Sequence, residues 1–226
     1  MTTKVADEVL GKVARMQNDL FRRVREGSLE PSMVVRKLQD IIEEKNLSQF
    51  TDWQIFYKKL FGSDYDFSNI RIPERPQGNW RLLIIVDILL EQLYAKCKEL
   101  FPCWRWTNDN FDKIVTENER DAKKGPYAIW VEDTIEADEN LKNHSANDIK
   151  KQGITTETLA ERLIHELKFF DEAGKHLDIK NITLCAGSLY FDGNVPVVCW
   201  SVGEMGVNWY DSGDAYNILR PRQAVS

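Results

Sequence analysis

The last third of the chain limits the possible folds more than any other stretch. From Thr155 to Ala173, Leu159, Leu163, Leu167 and Phe170 recur at helical spacing, and Gly174 follows as a natural stop. Ile154 and Leu159 can staple around Thr155 at the start of this helix. The period then drops to two. Ile182–Cys185, Val195–Trp200 and Val207–Tyr210 alternate as strands do, and Asp192-Gly193 supplies a tight turn ahead of the second. A capped helix running into a strand meander has to pack helix on sheet. The expected fold class is therefore α+β: a mixed, mostly antiparallel sheet of about five to seven strands covered by two long helices.

The chain begins differently. Residues 1–62 read as three helices. Val5, Val9, Val13, Met16, Leu20 and Val24 form one apolar stripe, closed by Gly27. Pro31 suits the first turn of a second helix that would bury Val34, Leu38 and Ile41. Thr51 with Gln54 can cap a third, with Phe50 stapled onto Ile55 and Gly62 as the stop. Residues 63–79 carry Pro73, Pro76 and Gly78 and read as a connector, so the α+β domain is expected over 80–226. Within it, Trp80–Val86 is a strand, Asp87 can cap a helix reaching Phe101, and Cys103–Thr107 is a second strand. That crossover suggests a parallel pair. Asn108–Lys124 reads as a loop or loose helix, Tyr127–Val131 as a strand, and Ser145 with Asp148 as a short-helix cap.

Charge and cysteine content narrow the function classes. A net charge of −6 makes duplex nucleic acid an unlikely partner, because phosphate binding needs a basic field. No apolar run is long enough to span a bilayer, and Met1–Leu10 lacks the apolar core of a signal peptide, so a cytoplasmic location is expected. The four cysteines form no C-x-x-C pair and are expected to be reduced.

Several constellations invite a chemical reading, and each has a structural competitor. His165-Glu166 opens like the zinc-protease helix, but that motif needs a second His at position 169, which is Phe. His165 also lies two residues, about 200° of rotation, from Leu163 and Leu167, so it is expected on a solvated helix face. Asp133, Glu136, Asp138 and Glu139 follow a strand directly. With His165, the first three could ligate a divalent ion in a hydrolase or nuclease, though a solvated acidic turn is the better account of them. Cys185 has glycine on only one side of a would-be nucleophile elbow and alternates with core residues. Trp80, Trp104, Trp106, Trp130, Trp200, Trp209 and Tyr210 all fall on expected strands, and Trp104 shares a face with Trp106. Beside Arg81 and Arg105 such a face could stack single-stranded bases or receive a partner; it could also be core. His176 and the basic, exposed-looking tail with Arg220 and Arg222 complete the candidate binding residues.

Cys103-Trp104-Arg105-Trp106-Thr107, Asn118-Glu119-Arg120-Asp121, Tyr127-Ala128-Ile129-Trp130-Val131 and Glu136-Ala137-Asp138-Glu139 resemble a family of uncharacterised proteins. So do Ser145-Ala146-Asn147-Asp148, the Glu161–Phe170 helix, Gly174-Lys175-His176-Leu177-Asp178 and the Arg222–Ser226 ending. That family is found mainly in uncultured, small-genome bacteria. The resemblance spans roughly residues 75–226 and implies no activity, cofactor or catalytic residue.

The residues taken together point first to a non-enzymatic binding or regulatory module with no cofactor. It would act through an aromatic-rich sheet and amphipathic N-terminal helices that meet a protein partner or a second copy. A metal-dependent hydrolase built on the acidic turn and a single-stranded nucleic-acid binder are the alternatives.

Overall fold

The computed structural model describes residues 7–29, 31, 34, 35, 38 and 47–226. The chain divides into two compact units at Asp52/Trp53. In the first, α1 (Asp7–Arg25) ends before Gly27, whose φ of 72° is the left-handed conformation anticipated for it. Val34 is buried and helical, while Ile41 and Val5, assigned above to buried faces, lie outside the described residues. Helix α2 (Leu47–Phe61) starts before Thr51, so Thr51 sits inside the helix and does not cap it; Gly62 ends it at φ 69°.

The second unit begins within α2, not in the 63–79 connector. Trp53, Phe56, Tyr57 and Leu60 are buried, and the Tyr57 hydroxyl donates to the Ile84 carbonyl at 2.5 Å. The connector is anchored too, because Tyr65 and Phe67 pack edge-on against the Tyr57 ring. Proline and glycine content marked a boundary there, but two aromatics hold it to the core.

Three sheets follow. β1 (Trp80–Ile85) pairs antiparallel with β4 (Tyr127–Glu132), Leu82 opposite Trp130. The main sheet has the order β2 (Cys103–Arg105), β8 (Glu204–Tyr210), β7 (Val195–Ser201), β5 (Ile182–Leu184), β9 (Leu219–Arg220). It is mixed: β2 lies parallel to β8 and β9 parallel to β5, while the central pairs are antiparallel. β3 (Val115–Asn118) and β6 (Ser188–Tyr190) make a small antiparallel ribbon. The α+β expectation holds. The expected pairing of β1 with β2 does not, since the helix between them, α3 (Leu90–Leu100), delivers them to different sheets. Asp87 does not cap α3; the Asp112 carboxylate does so from outside, accepting from the amides of Leu90 and Glu91 at 2.7 and 3.1 Å. The stretch read as a loop contains α4 (Phe111–Ile114) and β3, whose few residues carry no clear period.

Helix α5 (Ala146–Gln152) has the anticipated Ser145–Asp148 capping box. Helix α6 (Leu159–Ala173) has one as well, but at Thr158 with Glu161, three residues later than the staple suggested. Thr155–Glu157 instead run extended beside the C-terminus: Ala224 donates to Thr155, and Glu157 donates to Arg222. α6 packs against α3, β1 and β7 and so has sheet on both sides. Leu159, Leu163, Ile164 and Leu167 are fully buried, and so are most of the polar residues between them.

Gly187 fixes the approach to α6. A Cβ there would stand 2.7 Å from the Thr156 carbonyl and 3.1 Å from that of Glu157. Gly187→Ala is therefore expected to destabilise the protein by about 1–3 kcal/mol, read from denaturant midpoints. Gly213→Ala, where the nearest atom would be 3.8 Å away, should stay near the parent value.

Candidate functional site

The charged residues of α6 meet inside the protein. Arg162 donates through Nη2 to Asp178 Oδ2 at 2.8 Å and through Nη1 to Glu166 Oε2 at 2.8 Å. Arg222, from the C-terminal segment, donates to Asp178 Oδ1 at 2.7 Å and to the carbonyls of Thr134 and Ile135. Thr183 on β5 donates to Asp178 and accepts from both arginines. Asp178 adopts φ 53°, a left-handed conformation that aspartate tolerates. Glu166 continues the chain to His176, whose Nδ1 lies 2.9 Å from Oε1. The His176 ring stacks between Phe170 and Trp200. At the N-terminal end of α6, Glu161 accepts from Arg120 at 2.7 and 2.8 Å, from the Tyr127 hydroxyl and from the Thr158 amide.

These positions correct two readings. His165 does not face solvent. It is fully buried, with Nδ1 2.9 Å from Glu157 Oε1, because α6 is covered on the side that a single apolar stripe would leave wet. The tail is not an exposed basic strip either: Leu219 and Arg222 are fully buried, and Arg220 pairs with Glu139. Cys185 is buried as core, and burial holds its thiol far above the usual range, in the unreactive protonated form.

The acidic turn disperses. Asp133 pairs with Arg81 at 2.9 Å, and Glu136 accepts from the amides of Lys180 and Asn181. Asp138 accepts from the Gln223 amide at 2.7 Å, and Glu139 is shared between Lys142 and Arg220. His165 belongs to a different cluster. Among the described residues, no group of three or more His, Cys, Asp or Glu is arranged to hold a metal ion. Nor is any described helix long and apolar enough to cross a membrane.

The arginines proposed for base stacking are committed as well. Arg81 bridges Asp133 and Glu172, while Arg105 pairs with Glu91 and lies over the Tyr94 and Phe111 rings. The tryptophans separate. Trp130 is buried and Trp200 covers His176. Trp106, one residue past the end of β2, still donates its amide to the Val207 carbonyl, but its ring packs edge-on against Tyr190 and Trp209.

Trp104 alone among them lies on the open outer face of the main sheet. It stands opposite Gly206, which stands opposite Cys199, so one row of the sheet reads Trp, Gly, Cys. A Cβ on Gly206 would stand 3.7 Å from the indole and 3.9 Å from the Cys199 sulfur, so the missing side chain leaves a hollow between them. Trp104, Ile182, Val197, Cys199 and Tyr210 line a groove of about 190 Å³ there. Burial raises the Cys199 thiol, which keeps the floor uncharged. At the rim, Val202 is fully exposed at the tip of the β7–β8 turn with φ 54°, a conformation β-branched residues seldom adopt. The same face is closed further along, where α5 places Ala146 over Leu184, Val195, Val197 and Leu219. The groove could not be foreseen from sequence, because it depends on which strand lies beside β2.

Two of the wider depressions are lined mainly by polar side chains. One of about 390 Å³ includes Ser188, whose hydroxyl accepts from the Leu159 amide and donates to Asn118. The other, of about 440 Å³, is walled by the acidic turn with Lys180, Asn181 and Arg220.

No protein-family model matches the chain, and no curated protein or solved structure matches it.

The buried pair Glu157 and His165 sets a pH dependence. Burial raises Glu157 from 4.5 to about 8 and Asp138 from 3.8 to about 7, and drives His165 well below 6.5. A raised carboxylic acid contributes stability that is whole below its unfolded value and is lost as pH climbs through its folded value. A depressed histidine acts oppositely, costing stability as pH falls below 6.5. The two oppose each other up to about pH 6.5, and above it only the acids act. Stability should therefore fall between about pH 6.5 and 8, and Glu157→Gln should flatten that fall in urea titrations made across the range.

Proposed function

We propose that this chain is a non-enzymatic binding module that receives an apolar side chain of a polypeptide partner on the outer face of its main sheet. The observation that carries this reading is the position of Trp104, 46% exposed over a hollow floored by Gly206 and Cys199. Tryptophans flanking apolar hollows are the usual energetic anchors of protein interfaces. At about 190 Å³ the groove is smaller than the 300–1,000 Å³ typical of small-molecule sites, and suits one or two side chains better than a cofactor. Val202 beside it supports the same role, since a strained, fully exposed valine adds nothing to the fold. The charged groups support it from the other direction: Asp178, Glu161, Glu166 and Arg162 are turned inward and bonded to one another.

Peptide-display selection on the intact chain tests this. Selected peptides should carry an apolar anchor, and Trp104→Ala should weaken them by about 2 kcal/mol, or about thirtyfold in Kd. Trp209→Ala, outside the groove, should leave binding within about twofold of the parent. Equal retention by the Trp104 variant, with its fold intact by circular dichroism, would remove the proposal.

A further inference from the structure

One edge of the main sheet is guarded and the other is open. At β9 the Leu219 amide donates to the Tyr216 carbonyl, and the Pro221 carbonyl just beyond accepts from the Asp138 amide. At the opposite edge β2 runs parallel to β8, with Cys103, Trp104 and Arg105 beside Met205, Gly206 and Val207. The Met205 amide donates to the Pro102 carbonyl, and the Trp106 amide donates to the Val207 carbonyl. Alternation along a strand then turns the peptide groups of Trp104 toward β8 as well, and those of Cys103 and Arg105 away from it. Among the described residues, no backbone or side-chain group bonds the N–H or C=O of Cys103 or Arg105. An inward-pointing charge often guards such an edge, but Arg105 is already committed to Glu91 at 2.7 Å.

The free groups select the partner. Outward N–H and C=O groups at strand spacing fit an extended backbone. A flexible peptide gains too few bonds on so short an edge to offset the entropy of its own ordering, whereas a strand already fixed in a sheet loses little. A second copy brings such a strand in β2 itself. Laid antiparallel about a twofold axis at Trp104, Cys103 of each copy faces Arg105 of the other, and every outward N–H meets an outward C=O. Sliding the register by two residues sets either Arg105 or Cys103 on its own counterpart and carries the other past the end of the strand. In the central register Trp104 opposes its counterpart as the non-hydrogen-bonded pair, where side chains of an antiparallel ladder come closest. Trp104 is 46% exposed on the face where that contact forms. The hollow over Gly206 lies on the β8 side of Trp104, so the groove stays open in the pair.

We propose that β2 is a self-pairing edge, and that two copies of the chain join antiparallel through Cys103 and Arg105 to make one continuous sheet. The proposal does not rest on the groove reading. A contact of one short strand on another covers less than the roughly 1,200 Å² of a standard interface, so the pair is weak and reversible.

Sedimentation velocity of the intact chain, without added peptide, over two decades of concentration tests it. The parent should show a monomer–dimer equilibrium. Trp104→Lys and Trp104→Glu each set like charges against one another at the axis and should weaken association at least tenfold. An equimolar mixture of the two should restore it, because only this register makes position 104 its own neighbour. Amide exchange on the parent gives a readout that needs no variant. The Cys103 and Arg105 amides should exchange at least tenfold more slowly where the pair forms than in dilute solution, while the Trp104 amide, held by β8, should change far less. A parent that stays monomeric throughout, charge variants that associate like the parent, a mixture that fails to recover, or exchange at Cys103 and Arg105 that ignores concentration would each overturn the proposal. Protection of those two amides in a monomeric parent only when a display-selected peptide is added would also overturn it, in favour of a peptide strand.

Discussion

Two arginines sharing one aspartate hold the second unit together. Arg162, Arg222 and Asp178 are all fully buried, so each has lost its hydration and depends on the others for compensation. Adding Glu166 brings the charges to two of each sign, and this balance makes the burial tolerable. It also explains the neighbouring acids. Asp178 and Glu166 are held below their ordinary range by the arginines, despite burial. Glu157 has no cation of its own, so burial prevails and raises it. One network therefore contains carboxylates shifted in opposite directions, and access to a guanidinium decides which way each goes.

The network also ties distant parts of the chain together. Asp178 follows α6, Thr183 lies on β5, Arg222 belongs to the last segment, and the carbonyls of Thr134 and Ile135 follow β4. Trp200 on β7 donates its amide to the Asp178 carbonyl. The inner face of the main sheet is thus fixed to α6 by polar bonds as well as by Leu163 and Leu167. The outer face inherits that rigidity. Ile182 lines the groove, and Thr183 beside it in β5 contacts both arginines, so groove geometry and core charge are coupled through one strand.

Much of the local structure was legible because it depends on near neighbours. Gly27, Gly62 and Gly174 end helices in left-handed conformations, and the Ser145 capping box forms as its spacing implied. What could not be read depends on partners far along the chain. The two-residue offset that assigned His165 to solvent assumed a helix with one buried face, whereas α6 lies between sheets. Arg222 looked like a surface residue because nothing local announces that Asp178 awaits it. Trp104 and Trp106 alternate correctly for a common face, but the strand ends between them. Asp112 caps α3 from another helix, and a local search for caps settles on Asp87 instead. Of the aromatics that fall on expected strands, Trp104 and Tyr210 line the groove on the outer face.

The arrangement of polar groups also bears on the proposed binding role. Catalysis requires a titratable or nucleophilic atom that substrate can reach, held by a second group behind it. Here the held groups are sealed: His165 is oriented by Glu157 with both residues wholly buried, and Glu161 has every strong acceptor direction filled. Cys103, half-buried and near the surface, is pushed up to about 12 and carries a proton at any physiological pH. His176 is the exception in access, being only part-buried, but its ring faces are occupied by Phe170 and Trp200 and its Nδ1 by Glu166. Two of the open surfaces among the described residues are apolar: the groove beside Trp104 and the stripe along α1. Apolar contact needs no titration and no preorganised charge, only a complementary shape from which water can be expelled.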